Sequence, residues 1–313
     1  MSETYLVTGG GGFIGSHVVD RLLEGGHEVR VFDNFSTGRR ENIAHVVGDI
    51  ELIEGDLRSY ERAHNAVKGV DYVVHLAALP SVPRSIQDPL TTHEVNATGT
   101  LNVMLAARDA DVRRVVLASS SSIYGANPAL PKQEDLVPLP ISPYGVSKLT
   151  AERYAAAFHH VYGFETVSLR YFNVFGPRQD PNSQYSAVIP RFIVRGCLGQ
   201  PLHVYGDGGQ TRDFTYVKNV VDMTIAACMA PGASGRALNV GCGEPHPLNF
   251  VIEIIERLCG RELILDHRPS RPGDIRDSWA DISSAIDVLG VEPSVRLEEG
   301  LRRTHEDLTA PPD

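Results

Sequence analysis

One junction near the start of the chain limits the folds open to it. A short apolar run, Tyr5-Leu6-Val7-Thr8, passes directly into Gly9-Gly10-Gly11-Gly12-Phe13-Ile14-Gly15, and a helical pattern over Ile14–Leu23 follows. A glycine-rich turn that ends a strand and opens a helix marks a βα unit. Glycine lets the backbone turn tightly and approach a bound group closely. The new helix then offers free N–H groups and a partial positive charge to an anion. Gly9, Gly12 and Gly15 in that context point to the pyrophosphate of a dinucleotide.

The alternation continues. Further strands are expected at Glu28–Phe32, Ile50–Glu54, Tyr72–Leu76, Val115–Ser119 and Thr166–Tyr171, after a first at Tyr5–Val7. Helices are expected at Tyr60–Val67, Thr92–Ala110 and Tyr144–Tyr162. Strand and helix in strict alternation imply an α/β fold with a Rossmann-type doubly wound parallel sheet, expected over residues 1–176. Ligands of such sheets sit at the carboxyl ends of the strands, where strand order reverses. Past Gly176, proline, glycine and asparagine become frequent. Helices there are expected near Val188–Cys197, Asn219–Met229, Phe250–Leu258 and Leu297–Leu308. Residues 177–313 are therefore expected to form a smaller mixed α/β lobe, interwoven with the first domain and binding substrate.

Composition narrows the function. At 313 residues, with 42% hydrophobic and 22% charged residues, the chain has material for a substantial core. A net charge of −10 argues against a nucleic-acid surface. Cys197, Cys228, Cys242 and Cys259 are widely spaced and form no CxxC pair, so they read as buried thiols of a reducing compartment, with no metal site. The N-terminus has no basic region of a signal peptide, and no apolar run reaches a membrane span's length. A cytoplasmic enzyme without a membrane partner is expected.

Asp33 ends the second strand, 18 residues past Gly15. With Asn34 beside it, this carboxylate is placed to accept hydrogen bonds from ribose hydroxyls and to repel a 2′-phosphate, which favours NAD over NADP. Arg39 and Arg40 lie close by and weaken that preference. Asp56-Leu57 follows the third strand, at the expected adenine edge. Leu76-Ala77-Ala78 follows the fourth, beside the pyrophosphate. Farther along, Tyr144 and Lys148 stand four residues apart on one helix face. A free tyrosine, with a pKa of about 10, is a poor base at neutral pH. A nearby lysine and an oxidised nicotinamide both favour its phenolate. Ser120, after the fifth strand, is placed to hold a substrate oxygen and relay its proton.

These motifs resemble the extended short-chain dehydrogenase/reductases, and within them the nucleotide-sugar 4-epimerases. The resemblance also rests on Val82-Pro83-Arg84-Ser85, Ser119–Gly125, Leu169–Gly176, Arg212-Asp213-Phe214 and Arg271-Pro272-Gly273-Asp274. It implies catalysis by Ser120, Tyr144 and Lys148, a hydride lent from sugar carbon 4 to NAD, a 4-keto sugar that turns over in the site, and return of the hydride to its other face. It implies that Arg212 and Arg271 clamp a UDP-sugar's diphosphate, that Asp274 meets the ribose, that Tyr205 packs on the uracil, and that Asn173 contacts a phosphate. Ser121 and Val188 join the expected substrate contacts. In the family, the helices at Thr92–Ala110 and Tyr144–Tyr162 pair with a second subunit, which implies a homodimer.

Sister reactions lack their signatures. Where 4,6-dehydratases resemble Thr-Asp-Glu, this chain has Ser120-Ser121-Ser122, and the glutamate of uronate decarboxylases is absent too. The cysteine acid of 3,5-epimerases is also missing from this region. Phe172–Gly176 departs from the uronate 4-epimerase pattern. Ser278 stands where glucose-restricted enzymes resemble a bulky tyrosine, and Ala187 where they resemble asparagine. Ser81, Ser122 and Gln179 are placed to line the widened pocket. Pro80 stands where N-acetyl-preferring relatives resemble glycine. Turnover of UDP-GlcNAc and UDP-GalNAc beside UDP-glucose and UDP-galactose is expected. The alternatives are a 4-epimerase confined to non-acetylated sugars, a UDP-glucuronate 4-epimerase, or a net dehydrogenase/reductase.

Overall fold

Strands buried on both faces of a parallel sheet carry nearly continuous apolar runs, and the first half of the chain is punctuated by them. The computed structural model describes residues 2–181, 188–270 and 275–310. Six of these runs become β1 (Thr4–Thr8), β2 (Glu28–Asp33), β3 (Ile50–Glu54), β4 (Tyr72–His75), β5 (Arg114–Ser120) and β6 (Glu165–Tyr171). The helices among them are α1 (Phe13–Glu24), α2 (Tyr60–Val67), α3 (Val82–Gln87), α4 (Pro89–His93), α5 (Gly99–Asp109) and α6 (Pro143–Tyr162).

The second half supplies β7 (Val174–Phe175), α7 (Val188–Cys197), β8 (Leu202–Tyr205), β9 (Thr211–Arg212), β10 (Thr215–Tyr216), α8 (Val217–Met229) and β11 (Ala237–Val240). After them come β12 (His246–Pro247), α9 (Leu248–Cys259), β13 (Leu265–Arg268), β14 (Asp277–Ser278), α10 (Ser283–Leu289) and α11 (Leu297–Thr309).

The large sheet has seven parallel strands in the order β11-β6-β5-β4-β1-β2-β3. Chain order reverses between β1 and β4, so the crevice between their carboxyl ends is the place for a ligand. One face is covered by α1 and α8, the other by α2, α5 and α6, each over its own apolar cluster. β11 and α8 come from beyond residue 176, so the later part of the chain returns to complete the sheet and one of its layers. Smaller sheets, β12-β9-β14, β8-β13 and β7-β10, are formed by residues past 173. Among the described residues no helix is long and apolar enough to cross a membrane.

Two expectations need correction. The helix expected at Thr92–Ala110 is not continuous: Glu94–Thr98 forms a π-helical turn between α4 and α5, with the Gly99 N–H reaching back to the Glu94 carbonyl. Such a widened turn swings a side chain out of helical register; here Asn96 is at its centre. The cysteines are not all thiols either. Cys197 and Cys259 form a disulfide, because α7 and α9 pack together and end side by side, with Cα atoms 5.0 Å apart. Cys228 and Cys242 are free, and burial pushes both thiols up to about 12.

Candidate active site

The glycine turn places the start of α1 beneath the strand ends. Gly9 has φ +74°, and a Cβ there would stand 2.7 Å from the Ala77 backbone nitrogen. A Cβ on Gly15 would stand 2.0 Å from the Gly9 carbonyl oxygen, so only glycine lets α1 sit this close to β1. Gly12 is the N-cap of α1; no side chain caps this end, and the first turn carries no acid. The Phe13 and Ile14 amides thus head a helix that keeps its positive end for an outside anion. This is a cradle of the kind a dinucleotide pyrophosphate requires.

Asp33, at the end of β2, is 8% exposed. Its carboxylate accepts the Gly11 amide at 2.9 Å and the Phe35 amide at 2.8 Å. Burial raises its pKa, while those amides pull it down. The arginines that weakened the NAD preference each face a surface glutamate. Arg40 bonds Glu54 at 2.5 Å and stacks over Phe35, and Arg39 faces Glu41 at 3.9 Å. Both pairs are solvent-exposed, and Arg40 remains close enough to Asp33 to pull its pKa down. Asp56 is gripped by the Arg58 fork and accepts from Asn34, which holds its carboxyl down at about 2. Leu57 is buried, and its carbonyl accepts from Asn102. Leu76-Ala77-Ala78 runs past the glycine turn, with the Ala77 amide bonded to Thr8 Oγ1 at 3.3 Å.

Tyr144, Lys148 and Ser120 come together at the end of β5. Ser142 caps α6 by accepting the Gly145 amide, and Pro143 occupies the first turn, which fixes where Tyr144 starts. Burial raises the Tyr144 pKa, and the Ser120 hydroxyl beside it pulls it back down. The expected drop from Lys148 is not what dominates here. The Lys148 ammonium stands 6.0 Å from the Tyr144 ring centroid and donates to the Ala118 carbonyl at 2.8 Å. Burial lowers its pKa to about 8. Ser120 Oγ donates to Ser122 Oγ at 3.1 Å and accepts the Ser122 amide. Ser121 opens the same short 3₁₀ turn.

Several supporting residues were not legible beforehand. His75 bridges Thr8 at 2.7 Å and Thr100 at 2.9 Å, tying β1, β4 and α5 below the crevice. Burial lowers it to about 3, so it is neutral. Asn96, turned inward by the π turn, accepts the Leu79 amide at 2.7 Å and donates to the Leu79 carbonyl and to Ser147 Oγ. It thereby locks the loop after β4 to α6 next to Tyr144.

Arg212, Asn173 and Ser278 lie around Asp213. This fully buried carboxylate accepts the Cys242, Gly243 and Ala280 amides at 2.7, 2.9 and 3.2 Å. It joins β9 to β14, whose register sets Ser278 opposite Arg212. Ser278 is 9% exposed. The Arg212 guanidinium donates to the Thr211, Ile275 and Arg276 carbonyls. Asn173, at φ +27°, donates to the Asp213 carbonyl, and Gln179 donates to the Val174 carbonyl. Ser81, at φ +97°, caps α3 by accepting the Arg84 amide. Tyr205 ends β8, opposite Arg268 on β13. Val188 begins α7. Ala187, Arg271 and Asp274 lie outside the described residues.

Residues 5–241 match the NAD dependent epimerase/dehydratase family. The chain is 38% identical over 305 residues to the UDP-glucose 4-epimerase of Mycolicibacterium smegmatis, spanning 96% of this chain and 97% of that one. Its fold matches UDP-N-acetylglucosamine 4-epimerase from Methanobrevibacter ruminantium, solved in complex with UDP-N-acetylmuramic acid. The TM-score is 0.93, at 40% identity over 98% of each chain. UDP-glucose 4-epimerase from Thermus thermophilus, in complex with NAD, gives a TM-score of 0.90 at 37% identity, over 97% of this chain and 98% of that one. The chain belongs to the NAD-dependent epimerase/dehydratase family, has UDP-sugar 4-epimerases as relatives, and is an isomerase that works with NAD.

Proposed function

We propose that the chain is a UDP-sugar 4-epimerase that inverts carbon 4 through a transient 4-keto sugar and accepts UDP-GlcNAc and UDP-GalNAc as well as UDP-glucose and UDP-galactose. The observation that carries the reading is the Ser120–Tyr144–Lys148 cluster, set at the strand ends beside an uncapped glycine cradle. NAD, when bound, supplies the acceptor and donor of the carbon 4 hydride. Tyr144 takes the proton of the 4-hydroxyl and later returns it, and Ser120 holds the same oxygen. The Lys148 ammonium stands one helical turn away, 6.0 Å from the Tyr144 ring centroid, and as a cation favours the deprotonated phenol.

Gly9, Gly12, Phe13, Ile14 and Gly15 hold the pyrophosphate; Asp33 and Asn34 take the adenosine ribose. Arg212 and Tyr205 hold the nucleotide of the sugar. Arg271, Asp274 and Ala187 join them on the strength of the resemblance alone.

The width of the sugar pocket rests on Ser278. Its side chain, nearly buried on β14, is smaller than a tyrosine's by the volume of a ring. Ser278→Tyr is expected to lower the kcat/KM ratio of UDP-GlcNAc to UDP-glucose by at least about tenfold, since steric exclusion from a pocket acts at that scale. An unchanged ratio would remove Ser278 from the specificity argument. The chain is further proposed to form a homodimer through α5 and α6. On α6, Val146, Tyr154 and Val161 are exposed apolar residues within roughly 80° of one another around the helix. Sedimentation at the mass of a single chain would contradict that arrangement.

A further inference from the structure

Far along the chain, three side chains of metal-ligating type meet where three helices pack. Cys197 ends α7, Cys259 ends α9, and His305 lies within α11. The three helices contact one another. The two sulfurs and a ring nitrogen of His305 all lie within 4.8 Å of one another, and all three residues are half-buried. His305 makes no side-chain hydrogen bond among the described residues, so its ring is available to a ligand. None of these residues takes part in the cofactor or sugar site described above.

We propose that this junction is a thiolate–imidazole metal site, suited to Zn2+, that alternates with the Cys197–Cys259 disulfide. The chemistry of the donors selects the ion. Two thiolates and an imidazole are a soft nitrogen–sulfur set, which zinc takes in tetrahedral geometry and which magnesium or calcium does not. Sulfurs about 2.3 Å from a tetrahedral zinc stand roughly 3.8 Å apart. Opening the disulfide moves the sulfurs from bonded contact towards that separation, which is within the 4.8 Å that spans the three donor atoms. Among the described residues the donor set stops at three, so water completes the tetrahedron. The half-exposure of all three donors gives an ion a way in.

The two states are exclusive, and the exchange balances. A dithiol reductant gives two electrons and two protons to the disulfide and leaves as its own cyclic disulfide. Zinc then binds two thiolates and releases two protons to solvent. Both states tie α7 to α9. Only the ion also bonds a side chain of α11, which already packs on both helices.

The test uses the full-length protein. It is reduced with a dithiol and freed of reductant without air, then incubated with Zn2+ or Co2+ and desalted. The expected result is about one zinc ion per reduced chain and, with cobalt, the visible and near-ultraviolet bands of a tetrahedral thiolate centre. The air-oxidised protein, with its Cys197–Cys259 peptide link verified by mass spectrometry, is expected to retain no stoichiometric metal. His305→Ala keeps both cysteines and the disulfide, and is expected to weaken zinc binding by at least about tenfold, the scale at which even outer partners of a metal ligand act. Cys197→Ser is expected to abolish the cobalt bands. The proposal is overturned if the folded, reduced protein shows no thiolate–cobalt bands, if the disulfide resists the dithiol, if the oxidised protein binds equally well, or if His305→Ala binds zinc as tightly as the parent.

Discussion

Tyr144→Phe is expected to lower kcat on UDP-glucose by about 100- to 10,000-fold, the range over which a positioned proton-transfer group acts. UDP-sugar affinity should stay within a few-fold of the parent, because the substitution removes one oxygen and leaves the ring. That oxygen faces the Ser120 hydroxyl at the end of β5, which favours its deprotonated form. No neighbouring group replaces it: Lys148 is turned to the Ala118 carbonyl, and His75 is buried, neutral and bound on both sides by threonines. Steady-state kinetics with calorimetric titration of UDP separates the two effects. Activity within tenfold of the parent would remove Tyr144 from the proton-transfer role.

The second large effect lies on β6, at the arginine paired with Glu152, which stands one helical turn past Lys148. Arg170→Met is expected to destabilise the fold by about 3–5 kcal/mol, since it strands a buried carboxylate. The Arg170 guanidinium and Glu152 carboxylate meet at 2.7 Å, with side-chain exposures of 3% and 4%. Glu152 also accepts from Ser119 Oγ at 2.9 Å, and Arg170 donates to the Tyr124 hydroxyl at 2.8 Å and the Glu134 carbonyl at 2.9 Å. The pair therefore fixes α6 to β5 and β6 beside the cluster of Ser120, Tyr144 and Lys148. Denaturant midpoints measure the loss. The double variant Arg170→Met/Glu152→Leu is expected to recover much of it, because no charge is then left unpaired. A single variant as stable as the parent would show that water reaches Glu152.

How much of this was legible in the sequence depended on how local the cause was. β3, α2 and α7 fall where the sequence places them, and β1, β2, β4, β5 and β6 differ by one or two residues at their ends, because each is a local apolar pattern with its own punctuation. β11 was not legible: its four residues, Ala237–Val240, become a strand only because β6 offers them an open edge. The two-residue strands that set Ser278 opposite Arg212 depend on Asp213, whose partners Cys242, Gly243 and Ala280 are distant in sequence. The π turn that aims Asn96 leaves no mark in a helical pattern. The disulfide joins residues 62 apart, and only the packing of α7 on α9 brings them together. The motifs around Tyr144 and Gly9 were readable because proton transfer and pyrophosphate binding need particular residue types at short spacing.

The most direct single measurement is to give the purified protein UDP-glucose carrying deuterium at carbon 4, in ordinary water, and to follow the product by NMR. UDP-galactose with the deuterium retained at carbon 4 is the expected result, since the hydrogen that leaves the sugar returns to the same carbon from its other face. Loss of the label to solvent, or an oxidised sugar accumulating with released NADH, would contradict epimerisation through a transient 4-keto sugar.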